Sequence, residues 1–164
     1  MNIKKITKIV LKFTINRLIE ILGTSVSLIG FLLFIALISY SPDDPNFIFP
    51  ENTEIKNFLG FQGSYISDLF FQSIGIMSYL VSISLFITGI NMFRGKNIFL
   101  IIENNFYIIL YCIFGTIFLN FFYKNTFELY INGNGGFVGE YFVDSFFVNL
   151  INFQKTFSYY FLIL

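Results

Sequence analysis

Histidine and tryptophan are absent from this chain, cysteine occurs once, proline three times, and charged residues make up only 12% of the 164. Without histidine, imidazole-based acid–base chemistry and most transition-metal sites are excluded. A lone thiol forms no intrachain disulfide. Cys112 lies inside an apolar run and reads as a small buried hydrophobe. The scarcity of charge says most. Soluble domains carry roughly 25% charged residues, about twice the share here. With 55% hydrophobic residues and a mean hydropathy of +0.73, this chain has too little polar surface to enclose itself in water. Ten basic and ten acidic residues cancel, so net charge gives no sign of nucleic-acid binding.

What is abundant is phenylalanine, at 25 copies, together with isoleucine, asparagine, lysine and tyrosine. Their codons are rich in A and T, so the excess reads as genomic bias rather than as an aromatic stacking device.

The gaps between charges divide the chain. From Glu20 to Asp43 there are 22 uncharged residues, from Asp68 to Arg94 there are 25, and from Glu103 to Lys124 there are 20. About 20 helical residues cross a hydrocarbon core of roughly 30 Å. The expected fold is therefore an all-α integral membrane bundle, with spans near 21–40, 73–93 and 104–123. The nine uncharged residues after Lys155, "TFSYYFLIL", give about 14 Å of helix, and are expected to be a fourth span, near 156–164, cut short.

Basic residues give the orientation. Lys4, Lys5, Lys8, Lys12 and Arg17 precede the first span, and Arg94 and Lys96 sit in the turn "RGKN" between the second and third. Lys56, Lys124 and Lys155 fall on the other side. The positive-inside rule then places a basic N-terminus, residues 1–20, in the cytoplasm. A cleaved signal peptide fits less well, because the uncharged run is long and "SYSPDDP" offers no small-x-small cleavage pattern.

"ISYSPDDPNF", residues 38–47, ends the first apolar run. Tyr40 suits the headgroup layer. Pro42 and Pro45 cannot continue a helix, and Asp43 and Asp44 are expected to be in water. This is a helix stop and an exit to the outer surface.

Other stretches carry structure rather than chemistry. "FVGEYFVDSFFVNLINF" (137–153) gathers Phe142, Val143, Phe146, Phe147, Leu150 and Phe153 on one half of a helix. It reads as an amphipathic helix in the outer interface, with a re-entrant hairpin as the alternative. Gly23, Ser27 and Gly30 in the first span recur at helical spacing, as do Gly75, Ser78, Ser82 and Gly89 in the second. Small residues on one face allow close helix approach, within a protomer or between protomers. No catalytic, metal-binding or cofactor-binding constellation emerges.

Several of these stretches together resemble the N-terminal membrane domain of the FtsK/SpoIIIE family of DNA translocases. The carriers are Ser41, Pro42, Asp43, Asp44 and Pro45 after the first span, then Gly60, Gly63, Asp68, Phe70, Phe71 and Gly75. Gly135, Gly136 and Gly139 of "GGFVGEYF" complete the set. The resemblance covers roughly residues 17–164 and implies a four-span anchor in the bacterial inner membrane at the division septum. It further implies contacts with division proteins and a hexameric, ATP- and Mg-dependent motor that moves DNA. That motor is not in this sequence. Its phosphate loop would read Gly-x-x-x-x-Gly-Lys-Ser/Thr, whereas Gly95–Lys96 is preceded by Ile90 and followed by Asn97. The expected function is membrane anchoring without catalysis. The alternatives are a motorless division scaffold and, in another class, a small transporter. Transporters usually place charge or broken helices at the midplane, and the three spans contain neither charge nor proline inside.

Overall fold

A computed structural model describes residues 3–45, 54–124, 133–143 and 155–163. Every regular element among these is an α-helix: α1 (Ile3–Ile38), α2 (Gly60–Ile74), α3 (Met77–Gly95), α4 (Phe99–Phe122), α5 (Gly136–Val143) and α6 (Lys155–Ile163). Three of them, α1, α3 and α4, are long and apolar enough to cross a membrane. At 1.5 Å per residue, the 19 residues of α3 reach about 28 Å, and the 36 of α1 about 54 Å.

Each uncharged gap in the sequence is occupied for most of its length by one of these helices, and each helix runs past the gap at one end. From Ile3 the basic N-terminal stretch is helical and runs without a break into the first span as α1. The second span begins at Met77 rather than near 73, because Gly75 and Ile76 interrupt the helix. The chain before that break forms α2, a 15-residue helix that the charge pattern did not set apart. Of the amphipathic stretch 137–153, residues 144–153 lie outside the described residues, as does Leu164 of the fourth apolar segment.

The main contact is α1 against α3. Gly23 and Gly30 of α1 lie on the backbone of α3. A Cβ at Gly23 would stand 2.8 Å from the Gly89 carbonyl, and one at Gly30 would stand 2.9 Å from the Ser82 carbonyl. A Cβ at Gly89 would in turn overlap the backbone at Ser27. Only the smallest side chains permit this spacing, which is how membrane helices gain dispersion contacts where lipid offers no hydrophobic drive. Ser78 and Ser82 are fully buried, and each donates its hydroxyl to a carbonyl of its own helix region, Gly75 and Tyr79. Both hydroxyls are satisfied without a partner helix.

At one end of this pair, Leu33, Leu37 and Phe71 form the core, with Tyr40, Tyr79, Val81 and Leu85 packed around them. At the other end the turn after α3 is tight. Lys96 takes the left-handed conformation (φ 52°) and caps α3 through its N–H on the Met92 carbonyl. Its ammonium reaches Glu20 of α1 at 3.0 Å, and Glu20 also pairs with Arg17. α4 packs on α3 with the Asn104 amide donating to Thr88 at 2.9 Å. A cleft of ≈ 400 Å³ opens beside that bond, lined by Ser84, Asn91, Tyr107 and Tyr111 among others.

Candidate functional site

The residues that end α1 meet the start of α2 in a buried polar junction. A helix leaves its last four carbonyls without partners, and Pro42 cannot extend this one. Here three of them, on Ile35, Ala36 and Leu37, find donors beyond the helix. Ser39 donates its hydroxyl to Ile35 at 2.8 Å, Tyr79 of α3 donates to Leu37 at 3.2 Å, and the Asn57 amide donates to Ala36 at 2.9 Å and to Ser39 at 3.3 Å. Asn57 is itself buried, and its side-chain oxygen accepts the Leu59 N–H at 3.1 Å, which turns the chain into α2. The Phe58 N–H closes the loop on the Ser39 hydroxyl at 3.1 Å.

The two acids of the stop sequence part company. Asp43 is exposed and pairs with Lys56 at 2.9 Å. That hydrogen bond and the carboxylate charge raise the Lys56 pKa above its ordinary value. Asp44, expected to lie in water, is only 4% exposed. It accepts the backbone N–H of Lys56 at 2.9 Å and of Asn57 at 2.8 Å. Two amide donors replace the hydration that an isolated buried carboxylate would forfeit. Ser41 and Pro42 form the outer rim of the turn, with the Asp44 N–H returning to the Ser41 carbonyl at 3.2 Å.

α2 supplies the other wall. Ser64 donates to the Pro45 carbonyl at 2.8 Å, and Ser67 lies within 3.5 Å of the Asn57 amide. Gly63 leaves room for Asn57, since a Cβ there would overlap that side chain. Asp68 is buried and accepts from the Tyr40 hydroxyl at 3.1 Å and from Gln72 at 2.8 Å. Phe71 packs between Tyr40 and Tyr79, with ring centroids 4.8 and 5.5 Å away. Phe70 lies at the edge of the same cluster. Gly60, at φ 65°, has open space around it. It serves the backbone turn and not a close contact.

A second junction holds the glycines of the later segment. Gly75, at φ 57°, ends α2 with its N–H on Phe71 at 2.9 Å. The Asn134 carbonyl occupies the place a Cβ would need and accepts the Ile76 N–H at 3.0 Å. Gly136 approaches the backbone of Ile74 and Gly75, while Gly135 and Gly139 sit against Thr116 and Asn120 of α4. α5 therefore crosses the last turns of α4, where Glu140 pairs with Lys124 at 3.0 Å. The Asn134 amide donates to the Tyr123 carbonyl. The Asn120 side chain and the Asn134 side-chain oxygen have no partner among the described residues.

Together these contacts make a polar cap that fastens the helix ends to one another. The buried carboxylates of Asp44 and Asp68 are both engaged by donors. Asn57 and Asn134 hold the two junctions, and sequence reasoning singled out neither. The signal for Asn57 was its place three residues before the Gly60-x-x-Gly63 pair. Gly95–Lys96 does not fit a phosphate loop: it caps α3, and its lysine is tied to Glu20.

The fold and its cap define a multi-span helical membrane domain whose loops are fastened on one side by buried polar contacts. The chain belongs to the FtsK/SpoIIIE family: residues 16–164 match the 4TM region of DNA translocase FtsK/SpoIIIE. Similar relatives include the DNA translocase FtsK of Rickettsia prowazekii, 31% identical over 87 residues, which cover 51% of this chain and 12% of the relative. That of Rickettsia bellii is 33% identical over 85 residues, 52% of this chain and 11% of the relative. That of Azospirillum brasilense is 32% identical over 73 residues, 43% of this chain and 12% of the relative. The matched region is thus a small part of each relative's length. No solved structure matches this chain.

Proposed function

We propose that this chain is the membrane anchor of a cell-division DNA translocase, tethering a DNA-pumping motor at the septum and contacting division proteins through its outer loops. The observation that carries the reading is the family match across residues 16–164, in relatives named DNA translocase. The capped junctions support it, because an anchor under load needs spans fixed to one another rather than a moving gate. In this reading the N-terminus and the Lys96 turn face the cytoplasm, and the two polar junctions face outward. Phe58 and Phe61, both well exposed beside the fixed Asn57 loop, offer the contact surface for division partners. ATP, Mg, DNA and a hexameric ring belong to the motor, not to this domain, and the inner membrane is its site.

The test is localisation. The chain fused at its C-terminus to a fluorescent protein, expressed in dividing cells, should concentrate at the constriction. Replacing Phe58 and Phe61 by serine should disperse the signal while the protein stays in the membrane. A wild-type fusion spread evenly around the cell would overturn the septal part of the proposal.

A further inference from the structure

The first part of α1 belongs to neither junction. From Ile6 to Leu18 every residue but Asn16 is exposed, a stretch of about 20 Å that runs past the Glu20–Lys96 contact. Lysine recurs at 4, 8 and 12, one helical turn apart, so these positions form a stripe along one side. Ile6, Ile9, Val10 and Phe13 take the other side, with Ile9 61%, Val10 57% and Phe13 59% exposed. Leu11 borders the lysines and Ile15 falls among them. Arg17 and Lys96 are both engaged with Glu20, whereas Lys8 and Lys12 form no ion pair among the described residues.

We infer that this segment is a binding surface for anionic lipid headgroups, lying along the leaflet where α1 enters the bilayer. Large apolar residues left uncovered in water mark a surface that something covers. A basic helix with an opposed apolar face suits the headgroup layer, where acyl chains take the apolar side and phosphates take the lysines. A second copy would set lysine against lysine, because no acidic residue occurs between Met1 and Arg17. A partner helix would cover the apolar side and leave the lysines without counter-charge. α1 is continuous from Ile3 to Ile38, so contact is reached by tilting α1 or bending it near Arg17. The inference borrows from the proposed orientation only the name of the leaflet.

The experiment uses the full chain in nanodiscs, which have no inside, so its outcome is independent of topology in cells. With Cys112→Ala as background, a spin label at Val10→Cys reports exposure to an aqueous nickel chelate against lipid-soluble oxygen. In phosphatidylcholine discs containing phosphatidylglycerol, the label should be shielded from nickel and open to oxygen. The combined K4Q, K8Q and K12Q variant should lose that shielding, equivalent to an on-the-order-of-tenfold or larger fall in surface affinity. The matching lysine-to-arginine variant should keep it, which separates charge from misfolding. Equal shielding in pure phosphatidylcholine, or shielding indifferent to the glutamine changes, would overturn the headgroup assignment. Shielding that appears only as more than one chain is loaded per disc would assign the face to a second copy instead.

Discussion

The side-chain amide of Asn57 donates to the carbonyl of Ala36 at 2.9 Å across 21 positions of sequence, so a loop residue completes the end of the first span. An unpaired carbonyl at this depth would lose its water without gaining a partner, at a cost of roughly 1–3 kcal/mol. Asn57→Ala leaves Ala36 with only the long 3.5 Å contact from the Ser39 hydroxyl, and removes the amide donor to Ser39 and the acceptor of the Leu59 N–H. The expected outcome is a destabilised but inserted protein. Cys112 is buried, so heating the detergent-purified chain with a thiol-reactive dye reads the opening of the bundle directly. The Asn57→Ala transition should fall by several degrees.

The neighbouring acids should behave oppositely in the same assay. Asp44→Ala leaves two N–H donors, the part-buried one of Lys56 and the buried one of Asn57, without acceptors, and should lower the transition at least as far as Asn57→Ala. Asp43→Ala removes an exposed ion pair with Lys56 and should lower the transition much less than Asp44→Ala. Equal effects would mean that Asp44 is hydrated.

Glycines at positive φ should also separate. Gly60→Ala places a Cβ in open space and meets only the backbone penalty of the left-handed region, roughly 1–2 kcal/mol. Gly75→Ala adds an overlap with the Asn134 carbonyl and should be far more damaging, freeing α5 from α4. Cleavage by added protease between α4 and α5 measures the release: accelerated in Gly75→Ala, near wild type in Gly60→Ala.

The α1–α3 seam makes a third contrast. Gly89→Leu or Ser82→Leu forces the helices apart, and overpacking of this kind costs about 1–3 kcal/mol or more. Leu80→Ala, on a partly exposed position of the same helix, should cost less. Thermal unfolding of the three variants gives the order, and indistinguishable values would remove the seam.

Orientation is open to a simple fusion experiment. Alkaline phosphatase inserted after Thr53 should be active, since it would lie outside the cytoplasm, and the same enzyme after Lys96 should be inactive. Reversed activities would invert the proposed topology.

The spans were legible because lipid imposes one coarse demand, a long stretch without charge, and α1, α3 and α4 each meet it. α2 was not legible as a helix of its own. Its inward face is Gly63, Ser64, Ser67, Asp68 and Phe71, mostly polar or small, so the apolar periodicity that reveals a packed helix is missing. The same cause misplaced Asp44. An acid between two prolines reads as exposed, and only the fold shows that two amide donors converge on it. Asn57 and Asn134 were passed over because an asparagine in a loop is ordinary; their importance lies in which distant backbone groups they reach. The motif glycines at 63, 75, 135, 136 and 139 were legible as a pattern, while their neighbours, a side chain in one case and mostly backbone in the others, were not.

The hydrogen bond from the Ile76 N–H to the Asn134 carbonyl has a consequence for biogenesis. The donor leaves the ribosome well before its acceptor, with the whole of α3 and α4 between them. During synthesis the corner between α2 and α3 therefore waits, with its amide turned to water, until the third span has crossed and the following turn has emerged. The cap is a late-closing latch. A chain halted after the first two spans would sit in the bilayer with that corner unsealed, because its acceptor has not yet been made.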